Sequence, residues 1–307
     1  MTKILVATDK PFVVIAVNGI KKVVQDAGYE FTLLEKYTDP TDLYKAVADA
    51  DALIVRSDLV TPEVLEAGKK LKIVVRAGAG YDNINLPAAT EKKIVVMNTP
   101  GQNSNAVAEL AIGMMVYNAR AFFSGKSGTE LRGKTLGLHA FGFVAKAVAA
   151  IAKGFGMKIY GFDPFVTQED FKSLGVESVA SPEELYSKCQ YVSLHMPANA
   201  KTKGTVNYDL LSRMPEGAVL VNTARPEVID EAGLLKMFAE RKDFTYLSDV
   251  PPVCKPELEE KYAGRFYITP KKMGAQTEEA NINAGIAAAV QICKYFQSGD
   301  TTFQVNK

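Results

Sequence analysis

The sequence predicts an α/β protein built from two doubly wound domains, each a parallel sheet with helices on both faces. Three observations carry that expectation. Short apolar runs of strand length alternate with helix-period patterns along nearly the whole chain. One alternation, residues 135–163 (TLGLHAFGFVAKAVAAIAKGFGMKIYGFD), reads as strand, glycine-bearing turn, helix, strand and then an acid. The length, 307 residues, suffices for two cores.

The first strand is residues 3–7 (KILVA), and residues 13–27 form a helix closed by Gly28. Strands at 31–34, 52–55 and 72–75 then alternate with helices at 40–48 and 62–67, the pattern of βαβ units. The run 52–55 passes straight into Arg56-Ser57, and the run ending at Val75 passes into Arg76-Ala77-Gly78-Ala79-Gly80. Ligands of such sheets bind at the carboxyl ends of strands. Two arginines there, beside a glycine-rich loop of N–H groups, suit an anion such as a carboxylate or phosphate. One such arginine alone would be an ordinary surface residue. Residues 94–98 are a further strand, followed by Thr99-Pro100-Gly101 and a helix capped by Asn103-Ser104. That helix, 106–119, is apolar nearly all round, so it belongs in a core or an interface and marks the crossing between domains and a subunit contact.

Residues 128–135 (GTELRGKT) match the G-x-x-x-x-G-K-[ST] phosphate loop. A working loop follows a strand and opens a helix, whereas this one follows a helix and opens a strand, so nucleotide hydrolysis is set aside. The unit that follows has the order of a dinucleotide-binding βαβ unit with a damaged fingerprint. Ala140 stands for the first glycine, Gly142 keeps the middle place that approaches a pyrophosphate, and Ala145 takes the third. Residues 145–153 supply the helix, with Gly154 as its stop. Asp163 ends the second strand where a carboxylate would hold the ribose hydroxyls. Taken alone, the motif equally admits a βαβ unit with no ligand. Beyond it, strands at 191–194, 218–221, 244–247 and 266–268 alternate with helices at 182–188, 208–213 and from Asp230 to Ala239. The strand ends read His195-Met196-Pro197, Asn222-Thr223-Ala224-Arg225, Ser248-Asp249 and Thr269-Pro270-Lys271-Lys272-Met273-Gly274. A last helix, 278–296, is long enough to return to the first domain. The expected division is residues 1–97 with 275–307, and 98–274.

Hydrophobic content of 47% with 23% charged is ordinary for a globular chain. A net charge of +1 argues against a nucleic-acid or membrane partner held by bulk electrostatics. No apolar run approaches the ~20 residues of a membrane span, and residues 1–12 lack a signal-peptide apolar region. Cys189, Cys254 and Cys293 are scattered, with no metal-ligand spacing, and read as free thiols in a reducing compartment, by default the cytosol. No metal is expected.

The strand-end motifs Arg76-Ala77-Gly78-Ala79-Gly80-Tyr81-Asp82-Asn83, Asn98-Thr99-Pro100-Gly101-Gln102-Asn103-Ser104 with Ala108-Glu109, Leu194-His195-Met196-Pro197, and Asn222-Thr223-Ala224-Arg225 with Val228-Ile229-Asp230 resemble the D-isomer-specific 2-hydroxyacid dehydrogenases. With the βαβ unit they cover nearly the whole chain in order. The resemblance implies a flavodoxin-like substrate domain and a Rossmann nucleotide-binding domain. It is greatest for a short, lysine-bearing branch without a regulatory domain. It implies oxidation of 3-phosphoglycerate to 3-phosphohydroxypyruvate with NAD, on the way to serine, by a homodimer. Arg225 would bind the substrate carboxylate and polarise the reacting carbonyl. Arg56, Ser57 and Arg76, with Ala77, Gly78, Ala79 and Asn103, would hold the rest of the substrate, joined by Arg132 of a second subunit. Gly142, Phe143, Val144, Asp163, His195, Pro197, Thr223, Ala224, Asp249 and Gly274 would line the cofactor. Asp163 would repel a 2′-phosphate, so NAD is expected over NADP.

The chain departs from the family at the acid/base. The usual histidine and glutamate are missing, and Lys272 or, one register earlier, Lys271 stands in the histidine place. A lysine with an ordinary pKa of about 10.4 is a poor base at neutral pH, so burial and the charge of Arg225 are expected to lower it, with Asp249 orienting the amine. His195 and His139 read as lining and packing residues. Two other readings stay open. One is a dinucleotide-sensing corepressor or scaffold on the same fold, favoured by the lost His/Glu pair and fingerprint glycines. The other is a reductase for glyoxylate, hydroxypyruvate or another 2-keto acid, which Arg56 would decide.

Overall fold

The structure is a computed structural model that describes residues 1–307. The chain divides into two compact units, Met1–Asn103 with Ala275–Lys307, and Ser104–Gly274. In the first unit the strands are β1 (Lys3–Thr8), β2 (Glu30–Glu35), β3 (Ala52–Val55), β4 (Ile73–Arg76) and β5 (Val95–Asn98). They form one parallel sheet in the order β2-β1-β3-β4-β5. Both faces are covered, which is why these strands read as unbroken apolar runs. Ile4, Val6, Ile54 and Val75 pack with Ile20 and Val24 of the helix Val14–Asp26 and with Ala288 and Ile292 of the helix Glu278–Ser298. Leu5, Leu53, Val55 and Val74 pack on the opposite side with Leu43, Val47 and Val64.

The second unit holds β6 (Thr135–His139), β7 (Lys158–Phe162), β8 (Glu177–Ser178), β9 (Tyr191–Leu194), β10 (Val219–Asn222), β11 (Thr245–Ser248) and β12 (Phe266–Ile268). Their order is β12-β11-β10-β9-β6-β7-β8, again all parallel. The α/β class with two doubly wound parallel sheets is therefore as the sequence predicts. Each sheet has one switch point where the strand order reverses, between β1 and β3 and between β6 and β9.

Several boundaries differ from the sequence reading. The first unit extends to Asn103 rather than to residue 97. The segment after β5 is tied to it by Thr99 N–H donating to the Gly78 carbonyl (3.0 Å) and the Asn98 amide donating to Ala79 (2.6 Å). The helix Phe143–Gly154 starts two residues early and runs through Gly154, closing at Phe155 and Gly156. The helix Ser104–Ala119 starts two residues before the expected 106 and is apolar nearly all round, its narrow exposed stripe formed by Asn105, Glu109 and Gly113, four residues apart, with Asn105 donating to Glu109 at 2.6 Å. Short helices at Leu86–Glu91, Gln168–Ser173 and Lys255–Lys261 went unforeseen. Six or seven residues hold too few turns to show a period, although Asn85 and the Thr167–Asp170 capping box mark two of the starts. Residues 128–134 lead into β6 and open no helix, so the phosphate-loop match is a coincidence of residues.

Candidate active site

At the switch point of the second unit, β6 delivers the turn from His139 to Gly142. Ala140 is held at φ +72°, a left-handed conformation that strains any residue with a Cβ, so the missing fingerprint glycine leaves a real backbone cost. Gly142 differs: its φ is −80°, and an added Cβ would meet nothing in the protein within 4 Å. The fold itself does not require a glycine there, and the open space would let the protein backbone come close to a ligand. The first backbone bond of the helix Phe143–Gly154 runs from Lys146 N–H to the Gly142 carbonyl (3.0 Å). The N–H groups of Phe143, Val144 and Ala145 therefore have no carbonyl within the helix, and they carry the positive end of its dipole. Phe143 is exposed.

Asp163, at the end of β7, has its carboxylate fixed by Phe141 N–H (2.8 Å) and Phe165 N–H (2.9 Å). It borders a cavity of about 990 Å³ lined by Ala140, Phe162, Met196, Pro197, Glu183 and Arg213 among others. His139 is buried, its Nδ1 lies 3.2 Å from the Tyr186 hydroxyl, and burial pushes its pKa down to about 4. Burial, with a smaller push from His139, takes His195 down to about 3. Both rings are neutral near pH 7 and far from the value a general base needs there. Two polar atoms just beyond β9 and β10 are buried without a partner, His195 Nε2 and Thr223 Oγ1. A cavity with apolar walls, a preset carboxylate, open helix N–H groups and these two orphaned atoms fit a dinucleotide.

β10 and β11 deliver the other candidates. Asn222 is fully buried; its Oδ1 accepts from Ala224 N–H (3.0 Å) and its Nδ2 donates to the Arg225 carbonyl (3.0 Å). That bracket fixes the turn bearing half-buried Arg225, whose guanidinium donates to the Ala224 carbonyl at 2.9 Å. Asp249 is 1% exposed. Its carboxylate accepts from Thr269 Oγ1, Met273 N–H and Gly274 N–H, each at 2.8 Å. Asp249, expected among the catalytic groups, is thus the clamp of the turn that carries Lys271 and Lys272. Both lysines are exposed, so the burial expected for the acid/base amine is absent.

The first unit holds the anion-binding candidates. Arg56 and Ser57 follow β3, and Arg76 Nε donates to the Arg56 carbonyl at 2.9 Å. The Arg56 guanidinium lies 3.5 Å from the Lys10 carbonyl, 3.4 Å from Gln276 Oε1 and 5.9 Å from the Phe12 ring centroid. Gly78 has φ +150°, and a Cβ on it would sit 1.6 Å from an Arg76 guanidinium nitrogen, so the glycine makes room for that side chain. Ala77 and Gly78 are buried and Ala79 is partly covered, while Asn103 is half-buried in the last turn of the unit. The structure therefore gathers Arg56, Ser57, Arg76, Ala77, Gly78 and Ala79 in one unit. It gathers Gly142, Phe143, Val144, Asp163, His195, Pro197, Thr223, Ala224, Arg225, Asp249, Lys272 and Gly274 in the other. Sequence reasoning missed the bracketing role of Asn222, though it heads the quoted Asn222–Arg225 motif.

Comparison with known proteins adds to this geometry. Residues 110–270 match the family model described as D-isomer specific 2-hydroxyacid dehydrogenase, NAD binding domain. A D-3-phosphoglycerate dehydrogenase of Methanocaldococcus jannaschii is 39% identical over 271 residues, 82% of this chain and 51% of that protein. A hydroxypyruvate reductase of Thermotoga maritima is 38% identical over 283 residues, 86% of this chain and 91% of that protein. The chain thus spans about half the length of some of its curated relatives and nearly all of others. A crystal structure of NAD+-bound 3-phosphoglycerate dehydrogenase from Entamoeba histolytica superposes with a TM-score of 0.88 at 50% identity, covering 100% of this chain and 99% of that one.

Proposed function

Since the chain belongs to the D-isomer-specific 2-hydroxyacid dehydrogenase family, we propose that it oxidises D-3-phosphoglycerate to 3-phosphohydroxypyruvate with NAD. The observation that carries this reading is the linked pair of Arg56, beside the sheet's switch point, and Arg76, at the end of the next strand beside a glycine loop. A plain 2-hydroxy acid has one anionic group, for which Arg225 suffices; two further guanidinium groups suit a phosphate. The E. histolytica and M. jannaschii relatives, both phosphoglycerate dehydrogenases by name, support the same substrate.

In this reading the second unit binds NAD: the helix N–H groups after Gly142 hold the pyrophosphate and Asp163 the adenosine ribose. His195, Pro197, Thr223 and Ala224 line the remainder, with the turn ending at Gly274. Bound there, NAD would supply the acceptor for the hydride that leaves the hydroxyl-bearing carbon. Arg225 binds the carboxylate and draws charge from the reacting oxygen. The hydroxyl proton goes to the Lys272 amine, with Lys271 the alternative register, and Asp249 holds that turn in place. Arg56, Ser57, Arg76, Ala77, Gly78, Ala79 and Asn103 take the phosphate end. We further assign the enzyme to the cytoplasm, as a homodimer acting on the route to serine, with Arg132 of a second subunit at the phosphate. No helix is long and apolar enough to cross a membrane.

The test is NADH formation at 340 nm from D-3-phosphoglycerate and NAD at alkaline pH. Steady turnover supports the reading. Tight NAD binding without turnover would favour a dinucleotide sensor instead. The T. maritima relative, a hydroxypyruvate reductase by name, favours a second reading, in which unphosphorylated hydroxypyruvate consumes NADH faster than 3-phosphohydroxypyruvate does.

A further inference from the structure

Asp58 lies two residues beyond Arg56 and is 6% exposed. Its Oδ1 accepts two short hydrogen bonds, from Asp9 N–H (2.7 Å) and from the Tyr37 hydroxyl (2.6 Å). Its backbone carbonyl accepts from the Asn83 amide at 2.7 Å. The same two segments are joined again by Val60 N–H to the Asn83 carbonyl (2.8 Å) and Asn85 N–H to the Val60 carbonyl (3.0 Å). Asp9 follows β1, Tyr37 follows β2, Asp58 follows β3, and Asn83 belongs to the segment after β4. These four strands are neighbours in the sheet, β2-β1-β3-β4, so one residue ties together the carboxyl-end segments on both sides of the switch point.

Those ties bear on Arg56 directly. Its guanidinium is set against Lys10 and Phe12, on the segment that Asp9 anchors to Asp58, and its carbonyl receives Arg76. Burial lowers the Arg56 pKa, while the charges of Asp58 and Asp9 hold it up. Tyr37 is pushed up by burial and by its bond to Asp58, so it stays a donor. Asp58 Oδ2 is buried without a partner. A buried carboxylate with one oxygen unpaired is a costly way to join loops, and such costs collect where a site has to be preset.

We propose that Asp58 is a positioning residue for the anion site: through its two Oδ1 bonds it fixes the loops on which Arg56 and Arg76 are set. The proposal rests on the reading that these arginines take the substrate phosphate. Asp58→Asn retains an oxygen at Oδ1 and should retain both bonds; Asp58→Ala loses them. Expected for Asp58→Ala is a KM for 3-phosphoglycerate raised about tenfold, with kcat within about threefold and NAD affinity unchanged, while Asp58→Asn stays within about threefold throughout. Equal KM in both variants and the parent overturns the proposal. So does an Asp58→Asn as impaired as Asp58→Ala, which would make charge rather than bonding the agent. A loss of kcat and NAD affinity together in Asp58→Ala, meaning general disorder, overturns it as well.

Hydrogen exchange with inorganic phosphate as the probe separates this inference from the assigned reaction. Phosphate should slow exchange of amides 77–80 in the parent and in Asp58→Asn but not in Asp58→Ala. That pattern in a protein inactive on 3-phosphoglycerate would sink the assigned reaction and leave Asp58 standing. Equal protection in all three would overturn the role of Asp58 whatever the activity.

Discussion

The two sheets share a design and part company in their loops. In each, the strand order reverses once, and the segments leaving the two strands at that point form the candidate site. In the second unit those segments are the Ala140–Gly142 turn and His195–Pro197, beside a cavity of about 990 Å³ with Asp163 at its rim. In the first unit they are Asp9–Lys10 and Arg56–Asp58, with one arginine and a buried carboxylate, to which the end of the neighbouring strand β4 adds Arg76. Topology decides where a ligand can bind, and the loop residues decide which one. The second unit offers open N–H groups and apolar walls, suited to a nucleotide. The first offers guanidinium groups, suited to a compact polyanion. Changes at one switch point should therefore damage one ligand and spare the other.

The largest effect is expected from Lys272→Ala, which should lower kcat by about 100-fold or more, the usual worth of a general base, with NAD affinity retained. If Lys271→Ala kills turnover and Lys272→Ala does not, the register is one residue off. A lysine must be unprotonated to accept the proton, so kcat/KM should climb toward alkaline pH and show no inflection near 6.5. Such an inflection would implicate a histidine, although burial holds His139 at about 4 and His195 at about 3.

Next in size is Gly142→Ala. Because its Cβ would meet no protein atom, thermal stability should hardly change, while NAD affinity drops about tenfold or more as the methyl enters the pyrophosphate's space. A large fall in Tm with unaltered NAD affinity would make the glycine a structural residue.

A smaller effect concerns acid stability of the second unit. The His139 pKa is about 4 when folded, against an ordinary value of 6.5, so the folded chain binds fewer protons between those values. Its contribution is complete above pH 6.5 and is lost as the pH falls through that window, at about 1.4 kcal/mol per pH unit. Urea midpoints from pH 7 to 5 should fall accordingly in the parent and less steeply in His139→Phe; parallel profiles would refute this. The smallest effect is Ala140→Gly, which should relieve the left-handed strain at φ +72° by about 1 kcal/mol and tighten NAD binding slightly.

Much of this was legible before any coordinates. Asp163 sits at the end of a strand whose distance from the glycine turn is a local property of a βαβ unit, and Arg56 and Arg76 directly follow apolar runs. What the sequence hid is tertiary. Asp58 meets Asp9 and Tyr37 across 49 and 21 residues, and nothing local marks it as their partner. The family resemblance names Asp249 as a site residue, but nothing local shows that it accepts from the backbone of Met273 and Gly274, a pairing only the folded sheet brings about. The tandem lysines illustrate the opposite error. Chemistry called for a buried amine, and the turn leaves both exposed, since burial is set by packing and not by catalytic need.

The most direct test of the division between the two units is the ratio of kcat/KM for D-3-phosphoglycerate to that for D-glycerate, measured in the parent and in Arg56→Ala. The account predicts that the parent strongly prefers the phosphorylated acid. Arg56→Ala should cut that preference by about 10- to 100-fold, the worth of a charged hydrogen-bonding group, without changing NAD affinity. An unchanged ratio would contradict it.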